Sequence, residues 1–336
     1  MATGQELPPA SVSLDLDDVW AYLRTRNESG WDQVPSVLPL VVDRLQPLLS
    51  ELRLRITIFV VGHDAEQRAG CRVISELAQM GHEIGNHSFW HRADLPFLPA
   101  DAITSDLERS GAAIAAATGR MPQGFRCPSF GTSEALLVSL AKADYAYDAS
   151  VLPTTLGPLL RMYFRLRLRA EPHPSDIDDS LYGPLTNALL PLSPFRWRVP
   201  GGMLLEAPVS SMPVFRVPIH MSYLNVLGIR SPALADFYLS MALVALRQKA
   251  IPLSFLLHPT DVLDLGDAPR LAYFPGMARP WQQKVEHVRR ALMMIITRNR
   301  VFTMSELSTA WSGLQLPLRA PGRPWCPLRV RNRRAE

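Results

Sequence analysis

Two histidines four residues apart are the most specific chemical feature of this 336-residue sequence. His87 and His91 stand in residues 81–92, GHEIGNHSFWHR, at the C-terminal end of a predicted strand. Two imidazoles at this spacing, in a turn or on one helical face, can reach a single divalent metal. An isolated pair of this kind is more often satisfied in the core or at the surface, so the metal hypothesis needs a matching carboxylate.

Three carboxylates, Asp15, Asp17 and Asp18, lie at the end of the first apolar segment, residues 11–18 (SVSLDLDD). Asp15 and Asp17 share one face of a strand, and the intervening leucines lie on the other. Clustered carboxylates repel one another unless a metal or a proton holds them. Asp17 or Asp18 could instead cap the next helix, which explains one aspartate but not all three. Two histidines and one aspartate with open coordination positions are typical of a hydrolytic or Lewis-acid metal site.

Two more polar residues end predicted strands. Arg126 lies in residues 125–131, FRCPSFG, and His258 ends the late apolar run at residues 254–259, SFLLHP. Alone, Arg126 could be a structural ion-pair partner and His258 a strand cap. Four polar clusters, each at the C-terminal end of a predicted strand, match the way α/β barrels assemble sites from separate loops.

Short apolar runs alternate with amphipathic helices up to about residue 150, as expected for a parallel sheet or barrel of β-α units. Strands are predicted at 11–16, 55–61, 82–88, 125–127 and 145–150, with helices at 34–52, 66–80, 101–118 and 133–143. The pattern returns with helices at 232–249 and 281–297 and strands at 252–257 and near 301–303.

A proline-rich stretch interrupts this rhythm. Eleven of the 30 prolines lie between residues 153 and 218, too many for regular β-α units. We expect an insertion or lid at 151–231, within which Arg161, Arg165, Arg167 and Arg169 alternate with apolar residues. The chain is then one α/β unit over 1–312 and a basic, flexible tail over 313–336.

These segments resemble the polysaccharide deacetylase family (NodB homology, carbohydrate esterase family four). The family's T-F-D-D motif is similar to residues 15–18, its H-[ST]-x-x-H motif matches 87–91, and its R-x-P-x-[FY]-G motif matches 126–131. Its L-x-H-P motif matches 256–259, and residues 147–150 are similar to its Y-D-x-S strand. The resemblance implies a distorted (β/α) barrel, here with a proline-rich insertion.

The resemblance also implies roles for the matching residues. His87, His91 and one N-terminal aspartate would bind a divalent metal, which in this family is commonly zinc. A second aspartate would be the general base, Arg126 would orient it, and His258 would be the general acid.

The aspartate motif departs from the family's usual Asp-Asp-Gly, because Val19 follows Asp18 and an additional acid precedes the pair. Some branches of the family use Asp-x-Asp, with the first as base and the second as ligand. The shared strand face favours that version, with Asp15 as base and Asp17 as ligand. Asp17 as base with Asp18 as ligand stays open, as does support of His258 by Asp261 or Asp264.

We therefore expect a metal-dependent deacetylase that hydrolyses the N-acyl bond, chiefly N-acetyl, of an amino sugar or glycan precursor. The alternatives are hydrolysis of another C–N bond on the same scaffold, by a deformylase or cyclic amidase, and a catalytically inactive carbohydrate-binding barrel. A pure binder need not keep a base, an acid and a metal triad, which argues against the last alternative.

Charge and hydropathy limit the partners. Lys and Arg total 35 against 31 Asp and Glu, but residues 319–336 hold six arginines and one glutamate, so the rest carries 29 − 30 = −1. Nucleic acid is thus not an expected partner, while the arginines of the insertion or tail are candidates for peripheral membrane contact. With neither a basic, apolar leader nor an apolar run near the roughly 18 residues of a membrane span, a cytoplasmic location is expected.

Overall fold

The computed structural model describes residues 6–157 and 185–322 of the chain. The strands are β1 Pro9–Leu16, β2 Thr57–Val60, β3 Glu83–Asn86, β4 Gly124–Phe125, β5 Tyr147–Asp148, β6 Phe195–Val199, β7 Gly202–Glu206, β8 Leu253–Leu257, β9 Arg300–Phe302 and β10 Leu318–Arg319. The helices are α1 Val19–Thr25, α2 Leu38–Glu51, α3 Gly62–Glu66, α4 Arg68–Gln79, α5 Ala100–Thr118, α6 Glu134–Lys142, α7 Met221–Arg230, α8 Pro232–Gln248, α9 Trp281–Ile296 and α10 Met304–Ser312.

The strands form one sheet in the order β10-β6-β7-β5-β4-β3-β2-β1-β8, with β9 also paired to β1. Among the described strands, β6 and β7 pair antiparallel and all the other ladders are parallel. The expected α/β class is thus confirmed. Within the described ranges the ladder does not close into a complete barrel. Instead, Ser210 and Ser254 exchange hydrogen bonds that tie the chain beyond β7 to β8 (Ser210 N to Ser254 O, 3.0 Å).

Side chains of β1 alternate between two buried environments. Val12, Leu14 and Leu16 join the main hydrophobic core, formed with residues of α2, α4, α8 and α9. Ser13 and Asp15 point to the opposite side, where both accept hydrogen bonds from one buried arginine. This period of two separates apolar packing from the polar side of the sheet.

Strand register explains why the distant motifs meet. The ladders pair Leu14 with Leu257, Val60 with Asn86, and Asn86 with Phe125. The residues that follow on these parallel strands include Asp15, His87, Arg126 and His258. Parallel strands present their C-terminal ends at one edge, so side chains far apart in sequence arrive at one place.

The predicted elements up to residue 150 are confirmed, and α4 matches the helix expected over 66–80. The short α3, which was not predicted, precedes α4 and is separated from it by a break at Gln67, whose backbone is extended (φ −81°, ψ 137°). Gly70 accommodates the break, because a Cβ there would lie 2.2 Å from the carbonyl oxygen of Asp64.

The proline-rich stretch 151–231 contains β6, β7 and α7 in its described part. Arg161, Arg165, Arg167 and Arg169 lie outside the described residues, as does the tail beyond residue 322. Across the described ranges, no helix combines the length and apolar character that crossing a membrane requires.

Candidate metal and acid–base site

Asp17, His87 and His91 converge on one buried point. Asp17 Oδ1 lies 3.4 Å from His87 Nε2 and 3.3 Å from His91 Nε2, and the three ligand atoms all lie within 4.8 Å of one another. Asp17 directly follows β1, while His87 follows β3. Left-handed backbone at Ser88 (φ 63°) and His91 (φ 49°) turns the loop so that both imidazoles face the carboxylate.

The hydrogen bonds around these groups leave metal-binding atoms free. The Nδ1–H of His87 donates to the carbonyl oxygen of Arg126 at 2.7 Å, so that Nε2 carries a lone pair toward Asp17. Asp17 Oδ1 is buried and has no hydrogen-bond partner among residues 6–157 and 185–322. Two imidazole nitrogens and an orphaned carboxylate oxygen are a donor set that suits a divalent metal.

The charge states of Asp17 and His87 also suit metal binding. Burial opposes ionisation of Asp17, but the charges of His91 and His87 outweigh it and lower the pKa of the carboxyl. Burial lowers the pKa of His87, whereas for His91 the attraction of Asp17 outweighs burial and raises the pKa. An ionised aspartate and a neutral His87 are already in the form that a metal requires.

Arg126 and Asp15 form the second part of the site. Both are buried, and Arg126 Nη1 donates to Asp15 Oδ1 at 2.6 Å and to Ser13 Oγ at 2.9 Å. Arg126 Nε donates to the carbonyl oxygen of Ala149 at 3.0 Å, and its guanidinium lies 4.2 Å from the ring centre of Phe59. The arginine is therefore held on several sides and keeps Asp15 in one orientation.

His258 lies on the other side of Asp15. Its Nε2 is 3.9 Å from Asp15 Oδ2, the oxygen opposite the one bound by Arg126, and 20% of its side chain is exposed. A partly exposed imidazole beside a buried carboxylate can exchange a proton with a ligand that enters the site.

The structure distinguishes between the two aspartates predicted to support His258. Asp261 Oδ2 accepts a hydrogen bond from the backbone N–H of His258 at 2.8 Å. Asp264 instead accepts from the backbone N–H groups of Gly266 and Trp281. Asp261 is thus the acid that touches His258.

Asp18 lies outside the group of three. Its Oδ1 accepts from the backbone N–H of Val19 at 2.7 Å and of Val37 at 3.0 Å, which caps α1 and ties the chain before α2. Burial and the nearby charge of Asp64 raise its pKa to about 6. These contacts match the capping explanation that the sequence had left open.

Two groups near the site were not predicted from the sequence. Ser222 Oγ lies 3.1 Å from His258 Nδ1, and the ring of Tyr22 lies 6.4 Å from that of His91. The hydroxyl of Tyr22 is buried and has no hydrogen-bond partner in the described part of the chain. Neither residue belongs to a recognisable motif, and both reach the site only through the packing of α1 and α7.

Comparison with known families supports the resemblance. Residues 6–147 match the sequence model of the family described as "Polysaccharide deacetylase". The matched range holds Asp15, Asp17, His87, His91 and Arg126 and ends before His258. The resemblance to this family of metal-dependent carbohydrate deacetylases is confirmed.

Curated relatives match over shorter stretches. The chain is 30% identical over 121 residues to "Chitin deacetylase" of Pestalotiopsis sp, covering 33% of this chain and 40% of the relative. It is 28% identical over 96 residues to "Uncharacterized protein YlxY" of Bacillus subtilis (strain 168), covering 29% of each chain. The matches thus span less than half of either relative.

Solved structures share the fold. A candidate polysaccharide deacetylase from Mycobacterium smegmatis superposes with a TM-score of 0.64 at 20% identity, covering 97% of this chain and 98% of the other. Puue allantoinase superposes with a TM-score of 0.56 at 14% identity, covering 92% and 91%. The expected NodB-type α/β architecture is therefore confirmed, although at these identities the likeness concerns the fold alone.

Proposed function

We propose that the protein is a metal-dependent hydrolase that removes an N-acyl group, chiefly N-acetyl, from an amino sugar or glycan precursor. The observation that carries the proposal is the convergence at one sheet edge of a buried Asp17–His87–His91 donor set, the Asp15–Arg126 pair and His258. The resemblance to the polysaccharide deacetylase family gives the reaction class.

Each group has a distinct role in this proposal. A divalent metal held by Asp17, His87 and His91 supplies Lewis-acid polarisation and makes water more acidic. Asp15, oriented by Arg126, takes a proton from the water as its oxygen bonds to the acyl carbon. When the C–N bond breaks, protonated His258 gives its Nε2 proton to the departing amine nitrogen. The products are a carboxylate and a free amine.

Zinc is the metal that we propose. Two imidazoles and one carboxylate with open coordination positions are typical ligands of catalytic zinc. Cobalt, nickel and iron accept similar ligands, so metal identity is decided by measurement.

Other C–N bonds are the alternative substrates. A formamide or a cyclic amide would need the same base, acid and metal donors. No contact among residues 6–157 and 185–322 favours these substrates over an N-acyl sugar. A barrel that only binds carbohydrate would have no use for the buried Asp15–Arg126 pair.

The remaining proposals concern the domain organisation, location and partners of the protein. We propose that residues 1–312 form the catalytic unit, that residues 151–231 are an insertion within it, and that residues 313–336 form a basic tail. A cytoplasmic location, an intracellular glycan precursor as substrate and peripheral membrane contact through the arginines of the insertion or tail stay predictions.

Acetate release tests the function. Purified protein loaded with zinc should release acetate from N-acetylglucosamine oligomers or from nucleotide- or lipid-linked N-acetyl sugars, and His87→Ala and His91→Ala should abolish both metal content and release. Parallel assays with formamide and cyclic amide substrates test the alternative. Equal, negligible metal in all three proteins after zinc addition would contradict the site itself.

A further inference from the structure

Ser222 occupies a position between the proposed acid and a buried carboxylate. Its Oγ lies 3.1 Å from His258 Nδ1 and 3.2 Å from Asp261 Oδ2. We propose that Ser222 is a positioning residue that couples Asp261 to His258, holds the imidazole as its Nδ1–H tautomer and aims Nε2 at the reacting groups. The inference rests on the proposed function, because it assigns His258 the role of general acid.

The direction of the hydrogen bonds follows from the acceptor. Asp261 already accepts from the backbone N–H of His258 at 2.8 Å on Oδ2 and from Asn225 Nδ2 at 3.0 Å on Oδ1. Three donors around one carboxyl group favour its ionised form, which can only accept. The single hydroxyl proton of Ser222 is therefore directed to Asp261, and its lone pair accepts the Nδ1–H of His258.

The groups around Asp261 counteract the effect of its burial. Burial raises the pKa of Asp261 overall, while the charge of His258, its backbone N–H and the Ser222 hydroxyl act in the opposite sense and limit the rise. Lys284 adds a further favourable charge, and its Nζ donates to the carbonyl oxygens of Thr260 and Leu263 in the same turn.

The start of α7 is held firmly enough to position a hydroxyl. A parallel bridge joins His220 to Leu256, two residues before His258. His220 then caps the helix, since its Nδ1 accepts from the backbone N–H of Tyr223 at 3.2 Å. Ser222 is therefore set against the end of β8 by backbone as well as by side-chain contacts.

Two side chains on one face of α7 donate hydrogen bonds to the two carboxylate oxygens of Asp261. Ser222 and Asn225 are three residues apart and so project from the same side of the helix. Asn225 Oδ1 is in turn 3.0 Å from Nδ1 of the buried His287. Because this chain of contacts fixes the carboxylate, it also limits rotation of the His258 ring.

The contact between Ser222 and Nδ1 of His258 determines where the other ring nitrogen, Nε2, points. With Nδ1 bound to Ser222, Nε2 faces Asp15 Oδ2 at 3.9 Å. A proton bound at Nε2 is then directed into the space that a departing amine would occupy. Without the serine hydroxyl the ring could rotate, or take up the other tautomer, and lose this alignment.

Two substrates distinguish positioning of an acid from a general structural role. An N-acetylglucosamine oligomer needs a proton on its departing amine, whereas 4-nitrophenyl acetate has a leaving group that needs none. Ser222→Ala should lower kcat on the amide by about 10-fold or more, up to the roughly 10²- to 10⁴-fold that a positioned general acid contributes. Its kcat on the ester should stay close to wild type, and Ser222→Thr, which keeps the hydroxyl, should restore amide turnover.

A matched control is available at another helix start. Ser305 is the second residue of α10, as Ser222 is of α7. Within the described ranges, its Oγ contacts one side-chain polar atom, Thr303 Oγ1 at 3.2 Å. Ser305→Ala should leave the ratio of amide to ester turnover unchanged. Equal losses on both substrates in Ser222→Ala would overturn the positioning role.

Nuclear magnetic resonance supplies a readout independent of activity. With ¹⁵N-labelled histidine, the wild-type spectrum should show neutral His258 as the Nδ1–H tautomer, and Ser222→Ala should shift it toward a mixture. His258→Gln identifies the resonance. If wild type binds no metal and turns over neither substrate, the proposed function fails, and the tautomer measurement still decides the Ser222 contact. An unchanged tautomer in Ser222→Ala overturns the inference.

Discussion

Arg126 donates to Asp15 across 2.6 Å in a part of the interior where both side chains are buried. The bond occupies Oδ1 of Asp15 and leaves Oδ2 facing His258. A carboxylate held in this way has one oxygen for orientation and one for proton transfer. This difference supports the proposed assignment of Asp15 as the base and of Asp17, whose Oδ1 faces the two histidines, as the metal ligand.

Asp15→Asn should keep the metal and lose turnover. An amide oxygen can still accept from Arg126, so the protein should fold, although with a lower free energy of unfolding because the buried arginine loses its counter-charge. The amide cannot take a proton from water. Loss of general-base catalysis lowers rates by about 10²- to 10⁴-fold. Metal content measured by mass spectrometry beside acetate release gives both results from one preparation.

The comparison variant is Asp17→Asn, which should lose metal as well as turnover. Asp18→Asn should keep both, because Asp18 caps α1 instead of facing the histidines. If Asp15→Asn lost the metal while Asp17→Asn retained it, the two roles would have to be exchanged.

Arg126→Ala should destabilise the fold strongly. Removing one partner of a buried ion pair leaves the other charge unpaired, which costs about 3–5 kcal/mol. The free energy of unfolding in urea, measured without metal, checks this. Adding Asp15→Asn to Arg126→Ala should recover part of the loss, since no unpaired charge is then buried.

The exposed Arg55–Glu306 pair, with 2.8 Å between Nη2 and Oε1, offers the control. Arg55→Ala should cost at most about 1 kcal/mol, because water screens an exposed pair. Equal costs for the two arginine substitutions would show that burial of the Asp15–Arg126 pair is not what matters.

The alternation of apolar strands and amphipathic helices predicted most of the fold because each parallel strand buries both faces. The β6–β7 hairpin was not predicted. Residues 195–199 (FRWRV) alternate as a strand does, but they lie among prolines, and residues 202–206 (GMLLE) do not alternate. Its packing is tertiary: Trp197 Nε1 donates to Glu206 Oε2 at 2.8 Å across the two strands. No short-range pattern in the proline-rich stretch indicates that contact.

The residues of the candidate site could also be predicted from the sequence in part. His87 and His91 lie close in sequence, and strand alternation places Asp15 and Asp17 on one face. The choice of Asp17 as the metal ligand also needed the family resemblance, and the sequence left Asp18 open as the alternative. The support of His258 depends on which way the turn after β8 folds. Asp261 points back to the backbone of His258, whereas Asp264 turns away to cap the segment at Trp281. Spacing alone does not distinguish these two conformations.

Metal binding should stabilise the folded protein. A ligand that binds only the native state adds about 2.7 kcal/mol to the free energy of unfolding at a concentration 100 times its Kd. Urea titrations with zinc and with a chelator should therefore differ in wild type. They should coincide in His91→Ala, which lacks one of the three donors; a zinc effect of undiminished size in that variant would contradict the proposed ligand set.

Asp148 and Glu206 form a buried carboxyl pair away from the metal donors. Ser150 donates to Asp148 Oδ1, and Val151 N donates to Glu206 Oε1 at 3.0 Å. Burial raises the pKa of Asp148 to about 6. Burial and the charge of Asp148 raise the pKa of Glu206 well above its usual value. The folded protein therefore holds protons on this pair that the unfolded chain releases.

Glu206→Gln should flatten the dependence of stability on pH. Groups with a raised pKa in the folded state contribute stability that is complete below their unfolded pKa, near 4, and lost as pH rises through about 6 and beyond. Urea unfolding of metal-free protein between pH 4.5 and 8, at steps of about one unit, should show wild type losing more stability than the variant. Asp18 and Asp106, whose pKa values are also raised to about 6, are present in both proteins, so the difference isolates the pair. Exposed Glu286→Gln should follow wild type; a Glu206→Gln profile that also follows wild type would show that the pair holds no shared proton.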